Sequence, residues 1–525
     1  VKGVTAAGTD VRNTERLVEL FGPDLRYVDA WSKFVVWNGK QWMVDSSGRA
    51  MRCTVETTRV MMDEAINAFR VAGEELAAAN GDDGAERDAK ARLSAAHRAM
   101  AWAVKSQSAP RIAAMLTIAK SSEAIAITHH ELDADPWLLN VENGTIDLRT
   151  GELRAHRRAD HITKLAPVIF DAAAKAPTWD RFIDQAMAGN AALVDFLRRL
   201  IGYALTGSIR EHALGFFFGG GRNGKSTFLG TIHSMLGDYA RPAPRGLLFK
   251  SKTERHPTEL ASLFGARFVT CSEVEAGRSF DEALVKDLTG GDHISARQMR
   301  EDFWSFAPTH KFFLAGNHKP NVRGDDDGIW RRIRLVPWTV QVPEADVDKE
   351  LPEKLRAELP GILAWAVRGC LEWQRDGLGE PIEVREATDQ YREESDVIGE
   401  FFRLRCLFHP EGVVARRMLR ESYEVYAKDN GDRNPLGARA FAAKLRERGI
   451  TETSLRRGLK VDDAWRGVRL QTDQELEAKG RGDVGGAGSE YPLDPKLRSS
   501  CGTQPGKSST APYDPARSIS DWGGE

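Results

Sequence analysis

The sequence is poor in cysteine, in charge of one sign and in long apolar runs, and each lack removes a class of protein. Five cysteines, Cys53, Cys271, Cys370, Cys406 and Cys501, are spread over 525 residues without a Cys-x-x-Cys pair. That spacing argues against a zinc ribbon or a disulfide framework and fits a reducing compartment, the cytoplasm. The 74 Lys and Arg against 76 Asp and Glu leave a formal net charge of -2, so contact with nucleic acid would have to come from local patches or a lined channel. No apolar run approaches the ~18 residues of a membrane span, and no basic segment followed by an apolar stretch opens the chain. Neither a membrane partner nor a secretory signal is expected. The 41% of hydrophobic residues suffices for packed cores, and at one domain per ~150 residues the length predicts about three.

Residues 1–175 read as an α+β region. Leu25-Arg-Tyr-Val28, Phe34-Val-Val-Trp37 and Gln41-Trp-Met-Val44 alternate aromatic and branched residues about Asn38-Gly39, which is a hairpin signal. Apolar residues then recur at threes and fours over 55–71 and 88–127, predicting helices broken at Asn80-Gly-Asp-Asp-Gly84. A second hairpin is expected about Thr150-Gly151. Residues 176–340 alternate helix and strand patterns, as an α/β nucleotide-binding domain does, and 341–394 is helical and charge-rich. Residues 395–471 show two helix patterns, 416–428 and 438–448, and a strand-like end at 465–470, an order that suggests a winged helix. Arg433, Arg439, Lys444, Arg446, Arg448, Arg456, Arg457, Lys460, Arg466 and Arg469 give this unit a local basic excess that suits phosphate contact. Residues 472–525, rich in Gly, Pro and Ser without periodicity, read as a disordered tail.

Against this background stands Gly219-Gly220-Gly221-Arg222-Asn223-Gly224-Lys225-Ser226, a complete G-x-x-x-x-G-K-[ST] loop between an apolar strand pattern and a helix pattern opening at Thr227. The glycines let successive N–H groups face one phosphate, and the following helix adds its positive end. Lys225 then reaches the β and γ phosphates and Ser226 ligates magnesium. The bland alternative, a mere glycine turn, does not account for the flanks. ATP and Mg2+ are the expected ligands.

Phosphate-loop chemistry also needs an acid, a water-positioning group and added positive charge, and each has a candidate downstream. The strand pattern 267–271 runs into Ser272-Glu273-Val274-Glu275, where Glu273 is assigned to magnesium or water activation with Glu275 as helper; a solvated acidic turn is the alternative. Asn317 follows the strand pattern Lys311-Phe-Phe-Leu-Ala315 and serves as sensor, although Asn also favours the turn before Pro320. Arg331 and Arg332 open another strand-like run and provide either surface ion pairs or an arginine finger. Between these lies a projecting hairpin pattern about 299–302, in which His293, Arg297 and Arg300 would grip the phosphates of a single strand, with Phe303 or Trp304 as stacking surfaces. Trp304 and Phe306 at alternate positions serve buried core equally well.

Gly-Arg-Asn-Gly-Lys-Ser-Thr227, Ser272-Glu-Val-Glu275, Leu288-Thr-Gly-Gly-Asp292, Leu314-Ala-Gly-Asn-His-Lys-Pro320 and Trp330-Arg-Arg332, in this order, resemble the motifs of superfamily 3 helicases. The resemblance is specifically to the phage and plasmid primase-helicases related to those of poxviruses. It extends upstream to Ala134–Leu148 and covers most of residues 10–471. It implies an AAA+-like P-loop ATPase core of α/β class, with an α+β N-terminal region and a winged-helix-like C-terminal domain. It further implies a hexameric ring with ATP sites between subunits, single-stranded and forked DNA as substrate, and a primase or replication-initiation partner. The residues before Pro177 show neither a zinc-ribbon cysteine set nor a cluster of metal-binding acids, so primer synthesis is not expected of this chain. An ATP-driven DNA packaging motor and a nucleotide-switched origin-binding regulator are the alternatives.

Overall fold

The computed structural model describes residues 8–79, 81–251, 257–271, 277–297, 302–322, 327–429, 435–457, 460–472 and 475. The chain divides into two compact units, Val1–Asp396 and Val397–Glu525.

In the first unit five short apolar runs form the central sheet: β1 (Leu214–Phe218), β2 (Ala240–Pro242), β3 (Phe268–Cys271), β4 (Lys311–Gly316) and β5 (Ile333–Pro337). Their order is β5-β1-β4-β3-β2, and every neighbouring pair is parallel. A parallel sheet is covered on both faces, which is why these strands are apolar throughout rather than at alternate positions. Alternation still sorts the side chains between two cores. Phe217, Phe268, Phe313 and Val336 belong to one core, and Leu214, Phe216, Val269, Phe312, Leu314, Ile333 and Leu335 belong to the other.

Helices α1 (Ala191–Leu205), α2 (Lys225–Leu236) and α3 (Leu359–Asp376) fill the first core, so the helical segment beyond residue 340 packs on the same sheet as the loop. Helices α1 and α3 meet at two glycines. A Cβ on Gly202 would lie 2.1 Å from the Cys370 nitrogen, and one on Gly369 would lie 2.1 Å from the Arg198 carbonyl oxygen. Backbones at that separation exclude any side chain. The second core receives Val28, Trp31, Val35 and Trp42 from the N-terminal strands and Tyr391 from α4 (Ile382–Ser395).

Near the N-terminus, strands Leu25–Val28, Lys33–Trp37 and Trp42–Val44 pair antiparallel. The turn between the last two is held by Asn38, whose Oδ1 accepts from the Lys40 and Gln41 N–H groups at 2.9 and 2.8 Å. Helices Arg49–Ala78 and Asp83–Ser106 follow. The helical pattern expected over 88–127 is in fact interrupted: a new helix covers Ala109–Ala119 with Pro110 in its first turn, and Ala126–Ile127 is a strand. Proline lacks the N–H and crowds the preceding turn, so it starts a helix rather than continuing one. Residues 138–154 form a three-stranded meander that includes the expected Thr150-Gly151 turn.

Two buried cations stitch these parts together. Arg267 donates to the Leu205 and Leu138 carbonyls at 2.5 and 2.8 Å. Lys311 donates to the carbonyls of Thr206 and, at 3.1 Å, Thr309. Carbonyls at the carboxyl end of α1 have no helical partner, and positive groups suit that end of the helix. Burial lowers the pKa of both cations.

The second unit runs helix Val397–Arg405, strand Cys406–Ala415, helices Arg416–Asp429 and Ala438–Glu447, and strands Thr451–Arg457 and Lys460–Leu470. The last strand is the centre of a three-stranded antiparallel sheet. Leu419, Tyr423 and Tyr426 recur along one helix face and pack with Phe401, Phe441, Leu445 and Trp465. Apart from Thr472 and Glu475, the tail expected over 472–525 lies outside the described residues. Among the described residues no helix is long and apolar enough to cross a membrane.

His310 is 1% exposed, and burial, helped by Lys311, pushes its pKa from 6.5 down to about 3. Above pH 6.5 neither state takes up this proton; below it the unfolded chain does and the folded one does not, so stability falls as pH drops. The expected slope from this group is about 1.4 kcal/mol per pH unit. In urea denaturation at pH 7 and pH 5, His310→Leu should lose less stability over that interval than the parent, by about 2 kcal/mol.

Candidate functional site

Strand β1 ends at Phe218 and α2 begins at Lys225, so Gly219–Gly224 form a six-residue connection at the carboxyl edge of the sheet. Both flanking strands hold it. The Gly219 N–H reaches the Gly316 carbonyl of β4 at 3.3 Å, and beyond β5 the Trp338 N–H reaches the Phe218 carbonyl at 2.8 Å. Asn223 Nδ2 donates to the Trp338 carbonyl at 3.1 Å, and the Val342 N–H donates to the Arg222 carbonyl at 2.9 Å. The glycines follow from this crowding. A Cβ on Gly219 would lie 2.1 Å from the Trp338 oxygen, and Gly224 has φ +84° with the Phe182 ring 2.8 Å from its Cβ position.

Lys225 is only 6% exposed, so its ammonium must find acceptors inside the protein. It donates to the Gly219 and Gly220 carbonyls at 2.8 Å each, to Asn223 Oδ1 at 2.9 Å and to Asn317 Oδ1 at 3.3 Å. Asn317 and the loop lysine, far apart in sequence, therefore meet directly. Ser226 is exposed in the first turn of α2 and Thr227 half-buried. A cation, first-turn amides and an exposed hydroxyl at one helix start match an anion with several oxygens and an accompanying metal ion. Beside them Gly221, Arg222, Gln341, Val342, Pro343 and Glu344 line a cavity of about 470 Å³, a size in the small-molecule range. Its far wall, 341–344, carries no sequence signal: its members are placed by the path of the chain beyond β5.

Lys319, two residues after Asn317, falls within the Leu314–Pro320 motif but has no role assigned from the sequence. Its Nζ lies 5.0 Å from the Phe218 ring centre and 2.6 Å from Glu394 Oε2. The acidic candidates Glu273 and Glu275 lie outside the described residues; the strand before them pairs Cys271 with Leu314, next to the β4 tip.

Arg331 and Arg332 precede β5, whose register pairs Ile333 with Leu214 and Pro337 with Phe218. They stand at the amino edge, on the order of 15 Å along the strand from the loop, and the fold does not bring them to Lys225 of the same chain. The two arginines differ. Arg332 Nε donates to Thr289 Oγ1 at 2.8 Å and Nη1 to the Gly328 carbonyl at 2.6 Å, whereas the Arg331 side chain is 79% exposed and 4.0 Å from Asp327.

The hairpin pairs Ile294–Ala296 with Trp304–Phe306 antiparallel; Arg300 lies outside the described residues. His293 is exposed, and the Arg297 guanidinium sits 4.8 Å from the ring centre of Phe303, which is 58% exposed. Trp304 and Phe306 point the other way and are buried, Trp304 against Trp31 and Phe264 at ring separations of 6.3 and 5.3 Å. Trp304 as a stacking surface is thus corrected: strand alternation assigns it to the core and leaves Phe303 outside.

Comparison with known proteins bears on this arrangement. Residues 14–188 match the "D5 N terminal like" family, and residues 217–332 match a family of unknown function, DUF5906. A helicase-named protein of Acanthamoeba polyphaga mimivirus, L207/L206, is 27% identical over 292 residues, 51% of this chain and 30% of its own. The helicase-named 184R of Invertebrate iridescent virus 6 is 22% identical over 52% of this chain and 32% of its own. The primase-named C962R of African swine fever virus is 23% identical over 39% and 22%. This chain spans about a third or less of these relatives. Among solved structures, the apo A form of the NrS-1 C-terminal region covers 84% of this chain and 95% of that one, with 9% identity and a TM-score of 0.44. These similarities support a primase-helicase-type family for the chain.

The loop geometry distinguishes two neighbouring glycines. Gly221 has nothing within 4 Å of its Cβ position, unlike Gly219. Gly219→Ala should destabilise the protein by about 1–3 kcal/mol, while Gly221→Ala should stay within about 0.5 kcal/mol of the parent, as thermal denaturation of the two variants will show.

Proposed function

We propose that this chain is a superfamily 3 DNA helicase, a ring motor of phage or mobile-element replication that hydrolyses ATP to move along single-stranded DNA and open duplex. The observation that carries the reading is the meeting of Lys225 with Asn317 inside the Gly219–Ser226 loop, at the carboxyl edge of a parallel sheet where open α/β folds bind ligands. On this reading the core is an AAA+-like P-loop ATPase. Lys225 leaves its loop carbonyls for the β and γ phosphates, and the first-turn amides of α2 hold their oxygens. Magnesium, ligated by Ser226 and Glu273, would offset phosphate charge. With Glu273 on the metal, Glu275 takes the proton of the attacking water, which Asn317 positions; with Glu275 replacing it on the metal, Glu273 is the base.

Because Arg331 and Arg332 stand at the opposite edge from their own loop, the added positive charge comes from the neighbouring subunit. Arg331 is the finger on grounds of exposure, and Arg332 braces its turn. His293, Arg297 and Arg300 grip DNA phosphates, with Phe303 as stacking surface. The element order of Val397–Leu470 supports a winged-helix reading, in which Arg439, exposed on helix Ala438–Glu447, faces DNA. A hexamer and a separate primase or initiation partner complete the proposal.

Lys225→Ala should abolish DNA-stimulated ATP hydrolysis while circular dichroism stays native; normal turnover in this variant would sink the phosphate-loop assignment. Arg331→Ala should be as inactive alone, yet mixing it with Lys225→Ala protein should recover part of the activity, since some interfaces then pair an intact loop with an intact finger. No recovery would count against an arginine supplied in trans.

A further inference from the structure

The chain leaves the β4 tip at Asn317 and returns to the amino edge of the sheet at Ile333, and the last turn of α4 is fastened to both ends of that return. Midway along α4, the Thr388 hydroxyl accepts from the Leu335 N–H at 3.1 Å, occupying a donor that the edge strand β5 leaves over. One turn on, the buried Tyr391 hydroxyl donates to the Pro320 carbonyl, and Glu394 Oε2 lies 2.6 Å from Lys319 Nζ. These two contacts grip the turn that carries Asn317. Arg392 points to the other end: its Nη2 is 2.6 Å from Asp327 Oδ1.

The second oxygen of that same carboxylate, Asp327 Oδ2, lies 4.0 Å from Arg331 Nη2. Asp327 and Arg331 are four residues apart across one helical turn, a spacing at which aspartate and arginine readily close a pair. Arg392 competes for this carboxylate and keeps the closer contact. Arg331 is left with its side chain 79% exposed instead of closed on Asp327. The Arg392–Asp327 pair is itself exposed, 42% and 54%, so it adds little to stability; what it controls is the direction of Arg331.

We propose that the last turn of α4 is a coupling strut in which Arg392 is a positioning residue: by engaging Asp327 it releases Arg331 toward the neighbouring subunit, while Tyr391 and Glu394 tie the same turn to the Asn317–Pro320 segment. The strut rests on the ring-motor reading of the chain. It joins a chain's own phosphate-sensing tip to the arginine it lends, so the state of one loop bears on hydrolysis at the next.

The test is steady-state ATP hydrolysis by the full chain with single-stranded DNA. Arg392→Ala should lower kcat about tenfold with KM for ATP within about twofold, because its own loop is untouched. Adding Asp327→Asn should restore kcat to within about threefold of the parent, since the carboxylate that captures Arg331 is gone. A merely structural role for Arg392 predicts that the double variant is no better than the single. Arg392→Lys, which keeps a cation beside Asp327, should retain more activity than Arg392→Ala. An unchanged kcat in Arg392→Ala, or no recovery in the double variant, overturns the strut provided that Lys225→Ala is inactive. Normal turnover in Lys225→Ala instead overturns the ring-motor reading and the strut's basis with it.

Discussion

The candidate site depends on one constraint, the parallel register that locks β1 between β4 and β5. Leu314 and Leu335 both stand opposite Phe216, and Gly316 and Pro337 both stand opposite Phe218, so three strands end at one level. The residues just past the strand ends then fall on one rim: Gly219 after β1, Asn317 after β4, Trp338 after β5. The loop is clasped from both sides by backbone hydrogen bonds, and Lys225 finds Asn317 because their strands are neighbours. The same register puts the residues before β5, Arg331 and Arg332, on the far rim.

The register is defended by burial. Each face of the sheet meets a separate apolar core, and a one-residue slip would exchange every side chain between them. Glycine at 202 and 369 lets α1 and α3 close on one face, and the paired cations Arg267 and Lys311 finish the carboxyl end of α1. These cations are placed at the amino ends of β3 and β4, away from the loop. At the other rim stand Lys225, held by loop carbonyls and amide oxygens, Lys319, held by the Glu394 carboxylate, and Arg222, 3.3 Å from Glu344.

The hairpin and α4 show how short-range chemistry is put to long-range use. Alternation about Ala296 and Trp304 sends Trp304 and Phe306 inward to Trp31 and Phe264 and leaves Arg297 and Phe303 together outside. In α4, Thr388 serves the sheet edge while Tyr391, Arg392 and Glu394 reach the turns on either side of the return from β4 to β5.

Much was legible along the chain because it rests on local rules. The glycine spacing of 219–224, the lysine and serine after it, the apolar runs of the strands, the Asn38-Gly39 turn and the tip position of Asn317 all follow from backbone sterics and period. The Pro110 break was equally local, but the apolar recurrence on both sides of it concealed two helices as one. Exposure was not legible: Trp304 and Phe303 are adjacent aromatics, and Arg331 and Arg332 adjacent cations, so composition cannot tell them apart. Nor could spacing show that residues 341–344 wall the loop or that Arg392 meets Asp327. By itself the sequence determined which residues are chemically suited to phosphate and where the chain turns. Only tertiary structure decided which of them meet, because strand order and register bring together residues nearly a hundred positions apart and turn one of two neighbouring side chains inward.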